Sequence, residues 1–148
     1  MSKRRELPFE VTAAVRDACL CLHAQRAARA LARRFDNALS PLDLTNGQFS
    51  LLMSLNRPSP PHLGSLAELL AMDRTTVTAA LKALVRRGLV QIKVDEEDRR
   101  GRLLVITSAG RRLLEKAFPV WKKTHSEVEK AIAGLSADKL RQALRAMA

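Results

Sequence analysis

No stretch of this chain approaches the roughly 20 consecutive apolar residues that a bilayer-crossing helix needs. Its basic start, Met1-Ser2-Lys3-Arg4-Arg5, leads into no signal-peptide core. A cytoplasmic protein with no membrane partner is therefore expected. Cysteine is scarce, two in 148 residues, and without an export signal both are expected as reduced thiols. Also missing are a glycine-rich phosphate loop, a paired histidine–carboxylate metal motif and a Gly-x-Ser-x-Gly elbow. Nor do the polar residues converge on a nucleophile, so neither an enzyme nor a cofactor or metal site is expected. There is no internal repeat or low-complexity tract. Acid is in deficit: 15 Asp and Glu face 26 Lys and Arg, a formal net charge of +11. That excess fits a polyanionic partner, although charge alone does not separate DNA from RNA or an anionic membrane. With 47% hydrophobic residues the chain can bury a core, as one domain or as a domain plus dimerisation helices.

What is present centres on residues 65–106. From Arg74 to Arg87, Val77, Leu81, Leu84 and Val85 recur at i, i+4, i+7 and i+8, one apolar stripe of a helix. The opposite face carries Thr75, Thr78, Ala79, Lys82 and Arg86, and no acid. Short hydroxyls, a methyl and cations suit thymine methyls, base edges and phosphates in a major groove. An ordinary solvated face would look similar, so the flanking elements decide. Upstream, Ser65-Leu66-Ala67-Glu68 has the form of a capping box opening a short helix, with Leu66, Leu69 and Leu70 as its buried stripe. Met72-Asp73 ends it, and Asp73 is a good N-cap for the helix that follows. Gly88 then suits a left-handed C-cap.

Beyond Gly88 the period changes to two. Val90, Ile92 and Val94 alternate with polar neighbours as a half-buried strand, and Leu103-Leu104-Val105-Ile106 is its return. Between them, the run from Asp95 to Arg102 places acids at the base and arginines toward the tip. Ion pairs from Asp95 or Asp98 to Arg99 or Arg102 would hold such a loop and leave Arg100 for a narrow, electronegative minor groove. Helix, turn, helix and charged hairpin give a mainly α fold with a small β-wing, a winged helix-turn-helix.

The rest reads as helical. A long first helix is expected between Glu10 and Ser40, and a second from Thr45 to Asn56 with Phe49, Leu52, Met53 and Leu55 for the core. Pro58, Pro60 and Pro61 force a loop before Gly64, with one short edge-strand contact at Leu63. After Thr107 a long helix carries Leu113, Leu114, Ala117, Val120 and Trp121. Pro119 predicts a kink in it, Gly134 ends it, and a last helix runs from Ser136 to Met147. The first and last helices are apolar and remote from the reading helix. Since one helix-turn-helix contacts too few base pairs, a two-fold dimer on a palindrome is expected.

Leu66-Ala67-Glu68-Leu69-Leu70, Asp73-Arg74-Thr75-Thr76-Val77-Thr78, Arg87-Gly88-Leu89-Val90, Asp95 through Arg100 and Ile106-Thr107-Ser108-Ala109-Gly110 together strongly resemble the multiple-antibiotic-resistance regulator (MarR) family. Leu42-Asp43-Leu44-Thr45 with Gln48-Phe49 is similar to that family's second-helix entry. The resemblance runs from about Val11 to the C-terminus. It implies one protomer over 1–148, with the winged helix-turn-helix in 45–107 and dimerisation helices in 10–40 and 108–148. It implies a homodimer on double-stranded DNA, with Arg74, Thr75, Thr76, Thr78, Ala79, Lys82 and Arg86 in the reading helix and Arg99, Arg100 and Arg102 in the wing. It also implies a small aromatic or anionic effector in a cleft beside the first helix, where Arg26, Arg29, Arg33 and Arg34 are either lining residues or a solvated face.

Cys19 and Cys21 carry three readings. They are small buried hydrophobes of the dimer layer, or redox thiols, or, for Cys19 with His23, ligands of a metal, for which two are too few. On a helix the two thiols point about 200° apart and cannot pair with each other. The spacing from Cys21 to Leu42-Asp43-Leu44-Thr45 is similar to that of the organic-hydroperoxide branch of the family. This chain has no tyrosine, however, and Phe35, Asn46 and Phe49 stand where that branch supplies phenol hydroxyls to the thiolate. A small-molecule effector is thus favoured over oxidation. The reading from another class is a non-specific architectural nucleic-acid-binding protein, in which charge dominates.

Overall fold

Helix α1 runs Phe9–Ala18 and α2 runs Leu20–Leu39, so the single long first helix expected from sequence is two. The computed structural model describes residues 6–148, and the basic Met1–Arg5 lie outside the described residues. The break falls on Cys19, whose extended backbone (ψ 106°) ends α1. Its sulfur then accepts the Leu22 amide at 3.4 Å and its carbonyl accepts the His23 amide at 3.1 Å. Periodicity could not reveal this, because apolar residues continue on both sides and the cap is a thiol, not Ser, Thr, Asp or Asn. No residue of α1 is buried.

The chain divides into two compact units between Arg34 and Phe35, and the second contains the core. A 3-10 turn at Ser40–Leu42 and a left-handed Asp43 (φ 52°) lead to α3, Asn46–Leu55. A capping box starts α3: the Thr45 hydroxyl accepts the Gln48 amide at 3.2 Å, and the Gln48 side chain accepts the Thr45 amide at 3.0 Å. Helix α4 is Leu63–Leu69 and α5 is Arg74–Arg86. The expected capping box at Ser65 is not formed. Helix α4 already starts at Leu63, and the Ser65 hydroxyl donates back to the His62 carbonyl at 3.0 Å. Strands β1 (Val90–Val94) and β2 (Arg102–Ile106) pair antiparallel, Val90 opposite Ile106 and Val94 opposite Arg102. The edge contact expected at Leu63 lies at Pro61-His62: His62 bridges Leu103, and the Pro61 carbonyl accepts the Leu104 amide at 3.0 Å. Helix α6 (Ser108–Ala131) contains Pro119, and α7 (Ala137–Met147) follows a left-handed Gly134 and a Ser136 cap.

Leu39, Leu52, Leu55, Leu66, Val77, Leu81, Leu84, Val90, Leu104 and Ala117 form the centre of the core. Several expected members stand outside it. Leu69 is 65% exposed, Met53 and Val85 are exposed, and Leu51 takes the core position on α3. In β1 only Val90 is buried, while Ile92 and Val94 are 49% and 51% exposed. On β2 both Leu104 and Ile106 are buried, so the ribbon is covered from the β2 side and the outer residues of β1 keep their alternation in sequence with nothing packed over them.

Where α6 crosses the base of the wing, the chain leaves no room for a side chain. A Cβ on Gly110 would overlap the Leu89 carbonyl oxygen and lie 2.7 Å from Ile106 Cγ1. Backbone cannot yield cheaply there, so Gly110→Ala is expected to cost about 1–3 kcal/mol by overpacking. Urea unfolding measures this, and an unchanged midpoint with unchanged slope would show that the crossing is loose.

Candidate nucleic-acid interface

Helix α5 separates its two faces cleanly. Val77, Leu81 and Leu84 are buried, while Arg74, Thr75, Thr76, Thr78, Ala79, Lys82 and Arg86 are all exposed. Asp73 fixes where the helix begins. Its Oδ1 accepts the Thr76 amide at 2.8 Å and its Oδ2 accepts the Thr76 hydroxyl at 2.7 Å. The Thr76 hydroxyl, and after it the Thr76 amide, hold the Asp73 carboxyl below the usual carboxylate range. The hydroxyl of Thr76 is therefore occupied by the cap. Thr78 donates its hydroxyl proton to the Arg74 carbonyl at 2.7 Å, which leaves oxygen lone pairs and a methyl facing outward. The Arg74 guanidinium lies over Gly64 of α4, where a Cβ would come within 2.8 Å of Nη2.

In the wing, the two acids have partners other than the arginines expected. Asp95 Oδ2 lies 3.2 Å from His62 Nε2, and its Oδ1 accepts the Glu97 amide at 3.0 Å. Asp98 Oδ1 accepts the Arg100 amide at 3.1 Å. Arg102 donates Nη1 to the Arg99 and Gly101 carbonyls, each at 3.1 Å. The physical reason is local: a tight turn has free amides, and a carboxylate one or two residues away satisfies them first. Arg99 and Arg100 have no side-chain partner among the described residues, and both are exposed at the tip.

Three structural roles here were not read from sequence. His62 was only part of a proline loop, and its reach to Asp95 has no local signal. Gly64 matters because of what packs on it. Arg87 Nη1 donates to the Asp43 carbonyl at 2.6 Å across 44 residues of sequence, tying the end of α5 to the turn before α3. Of the thiols, Cys19 is half-buried at the α1–α2 break. Cys21 is exposed, with the Gln25 side-chain amide 3.4 Å from its sulfur. No cluster of three or more His, Cys, Asp or Glu fit to hold a metal occurs among the described residues. Arg26, Arg29, Arg33 and Arg34 are exposed on α2.

Between α3 and α6 lie two joined hollows. One of about 330 Å³ is lined by Phe49, Ser50, Met53, Phe118 and Trp121. The other, about 530 Å³, shares Met53 and Phe118 and adds Asn56, Arg111, Leu114 and Glu115. Trp121 stacks on Phe118 and Phe49, ring centres 6.1 Å apart in each case, and on His125 at 4.7 Å. Arg111 donates to Asn56 Oδ1 at 2.9 Å. No described helix is long and apolar enough to cross a membrane.

The MarR family model matches residues 44–101. The multiple antibiotic resistance protein MarR of Escherichia coli (strain K12) is 31% identical over 109 residues, 73% of this chain and 74% of that one. The organic hydroperoxide resistance transcriptional regulator of Bacillus subtilis (strain 168) is 30% identical over 101 residues, 68% of this chain and 69% of the relative. Among solved structures, the M. tuberculosis transcriptional regulator MosR in complex with DNA superposes with a TM-score of 0.80. That pair shares 32% identity over 87% of this chain and 92% of the other.

The Asp73 cap can be tested by pH. Because its folded-state value is lowered, the cap stabilises above the ordinary carboxylate range and is lost as pH falls through the lowered folded value. Asp73→Ala should therefore lower the thermal midpoint at neutral pH, and the gap to wild type should close in acid. Circular dichroism melts at both pH values decide this; an equal gap in acid would assign the loss to something other than the carboxylate.

Proposed function

This chain belongs to the MarR family of winged-helix transcriptional regulators, which are not enzymes, and from that premise we propose that it is a ligand-responsive repressor binding a pseudo-palindromic operator as a homodimer. The observation that carries the reading is the acid-free, exposed face of α5, capped by Asp73 and flanked by a wing whose tip arginines have no internal partner. Homodimer formation is supported by apolar side chains left outside at both ends of the chain, Phe9 at 73% and Met147 at 59% exposure among them. Its site of action is the cytoplasm, where its DNA lies.

Each side chain has a distinct task. Thr75, Thr78, Ala79 and Lys82 face base edges in the major groove. Thr78 has already donated its proton, so toward DNA it accepts, from adenine N6 or cytosine N4, and offers its methyl to thymine. Thr76 contributes its methyl, its hydroxyl being held by Asp73. Arg74 and Arg86 neutralise phosphates. Arg100 enters the minor groove, with Arg99 and Arg102 toward the backbone. A ligand for release fits the α3–α6 hollows: an aromatic ring against Phe118 and Met53, with an acid group drawn to Arg111. Release requires that it bind better to a dimer whose reading heads no longer match the half-site spacing.

A second reading, oxidation at Cys21, is favoured by the exposure of that thiol and by similarity to a regulator named for organic hydroperoxide resistance. Against it stands the missing phenol chemistry: Phe35 and Phe49 are buried hydrocarbon rings. Organic hydroperoxide is accordingly expected to leave wild type and Cys21→Ser equally bound to the operator. Peroxide-driven release that vanishes in Cys21→Ser would make this a thiol sensor.

Footprinting on the DNA beside the protein's own gene, against bulk competitor at moderate salt, tests the main reading. Two chains per duplex and half-site centres about one helical turn apart are expected. Arg86→Ala should weaken all sequences alike and flatten the salt slope by about one, whereas Thr78→Val and Lys82→Ala should change sequence preference. Arg100→Ala should cost roughly 1–3 kcal/mol of operator affinity. Equal loss on operator and random DNA in all four variants would favour a non-specific architectural protein.

A further inference from the structure

We infer that His62 is the residue that aims the wing: its side chain fastens the base of the wing to the first helix of the reading motif, so that Arg100 meets the minor groove only while the His62–Asp95 contact holds. The inference rests on the proposed role of Arg100 at the wing tip. The distal part of the ribbon needs such a fastening, because Ile92 and Val94 face solvent and contribute nothing to the core. Beyond Val90 the ribbon is anchored through β2, by the buried Leu104 and by the segment Pro61-His62 lying along it. There the Pro61 carbonyl accepts the Leu104 amide at 3.0 Å and His62 bridges Leu103.

His62 belongs to both parts at once. Its backbone is the N-cap of α4, where its carbonyl accepts the Leu66 amide at 3.1 Å and the Ser65 hydroxyl at 3.0 Å. Its ring reaches the wing, placing Nε2 3.2 Å from Asp95 Oδ2. Asp95 is where β1 turns into the tip: its amide donates to the Gly101 carbonyl at 3.2 Å, and its second oxygen is spent on the Glu97 amide. The Asp95 side chain is only 16% exposed, so little freedom remains for it to lose in making the contact. The same ring also lies against the other side of the loop. A Cβ on Gly101 would stand 2.9 Å from His62 Cε1 and 3.1 Å from Nδ1. One imidazole thus touches the last residue before the tip and the first residue after it. Lys93, Glu96 and Glu97 line the same hollow. Asp95 and the two glutamates outnumber the one lysine, so a ring N–H donor is attracted to the wing base. A polar contact this exposed on the histidine side is a weak contributor to global stability. Its consequence is geometric, because a small rotation at the base displaces the tip by more.

The test is a double-mutant cycle between His62 and Arg100, read on operator duplex with folding checked by circular dichroism. His62→Ala should weaken operator binding about fivefold, the upper range for so exposed a contact. Minor-groove protection at the outer edges should fade while major-groove protection stays. His62→Gln, which keeps a side-chain N–H donor, should restore most of the loss. In an Arg100→Ala background, His62→Ala should add nothing. If it adds the same fivefold there, or has no effect in wild type, the inference is overturned while the wing remains. If Arg100→Ala itself binds normally, the wing role of Arg100 fails and the inference fails with it, an outcome that the single variant identifies without reference to His62.

Discussion

The first turn of α6 rests its backbone directly on the backbone of Leu89, and the remaining architecture depends on that joint. Three parts of the molecule meet within a few residues. Helix α5 ends at Arg86 and turns through the left-handed Gly88 (φ 71°). Strand β1 begins two residues later. Thr107 then closes the joint, donating its hydroxyl to the Gly88 carbonyl at 2.7 Å and its amide to the Leu89 carbonyl at 3.0 Å. That same hydroxyl accepts the Gly110 amide at 3.1 Å and caps α6. A glycine at 110 is what lets the backbones approach this closely. The reading helix, the wing and the long C-terminal helix therefore share one rigid reference point.

Local rules made much of this legible. The Asp73 cap, the left-handed Gly88 and the change of period at Val90 each depend on neighbours within four residues, so spacing alone reveals them. The buried stripe of α5 was visible for the same reason, apart from Val85. What spacing could not reveal was tertiary. The break at Cys19 interrupts no apolar pattern. Ile92 and Val94 alternate as a half-buried strand should, yet only the fold determines that no second layer covers them. Ser65 and Glu68 have the composition of a capping box, but the His62-Leu63 backbone starts the helix earlier, because the pairing of Pro61 with Leu104 has already fixed the chain's direction.

The polar side chains show a division of labour that composition conceals. Where a hydroxyl or carboxylate has a free backbone amide within reach, the structure uses it there: Asp73 on Thr76, Asp98 on Arg100, Thr45 on Gln48. An unmet amide costs more than a surface ion pair returns, so turn amides outcompete guanidinium groups for the wing carboxylates. Exposed cations are what remains. From Asp73 to Arg102 eight Lys and Arg stand against five Asp and Glu, and the cations of α5 and the wing tip face outward, where a polyanion would meet them.

Helix α6 would give the proposed ligand a route to the α5–wing joint. Its first turn forms the joint at Leu89, and the next residue after Gly110 is Arg111, which lines the larger α3–α6 hollow and donates to Asn56 at the end of α3. An anion that drew Arg111 away from Asn56 would act one residue from the close approach of Gly110 to Leu89. Because that contact is backbone against backbone, it cannot absorb a shift by rotating a side chain. A displacement of α6 would be passed to Leu89, and so to α5 and the wing together. Coupling of this kind needs no extended chain of intermediaries, only a helix that is short of slack where ligand and reading head meet it.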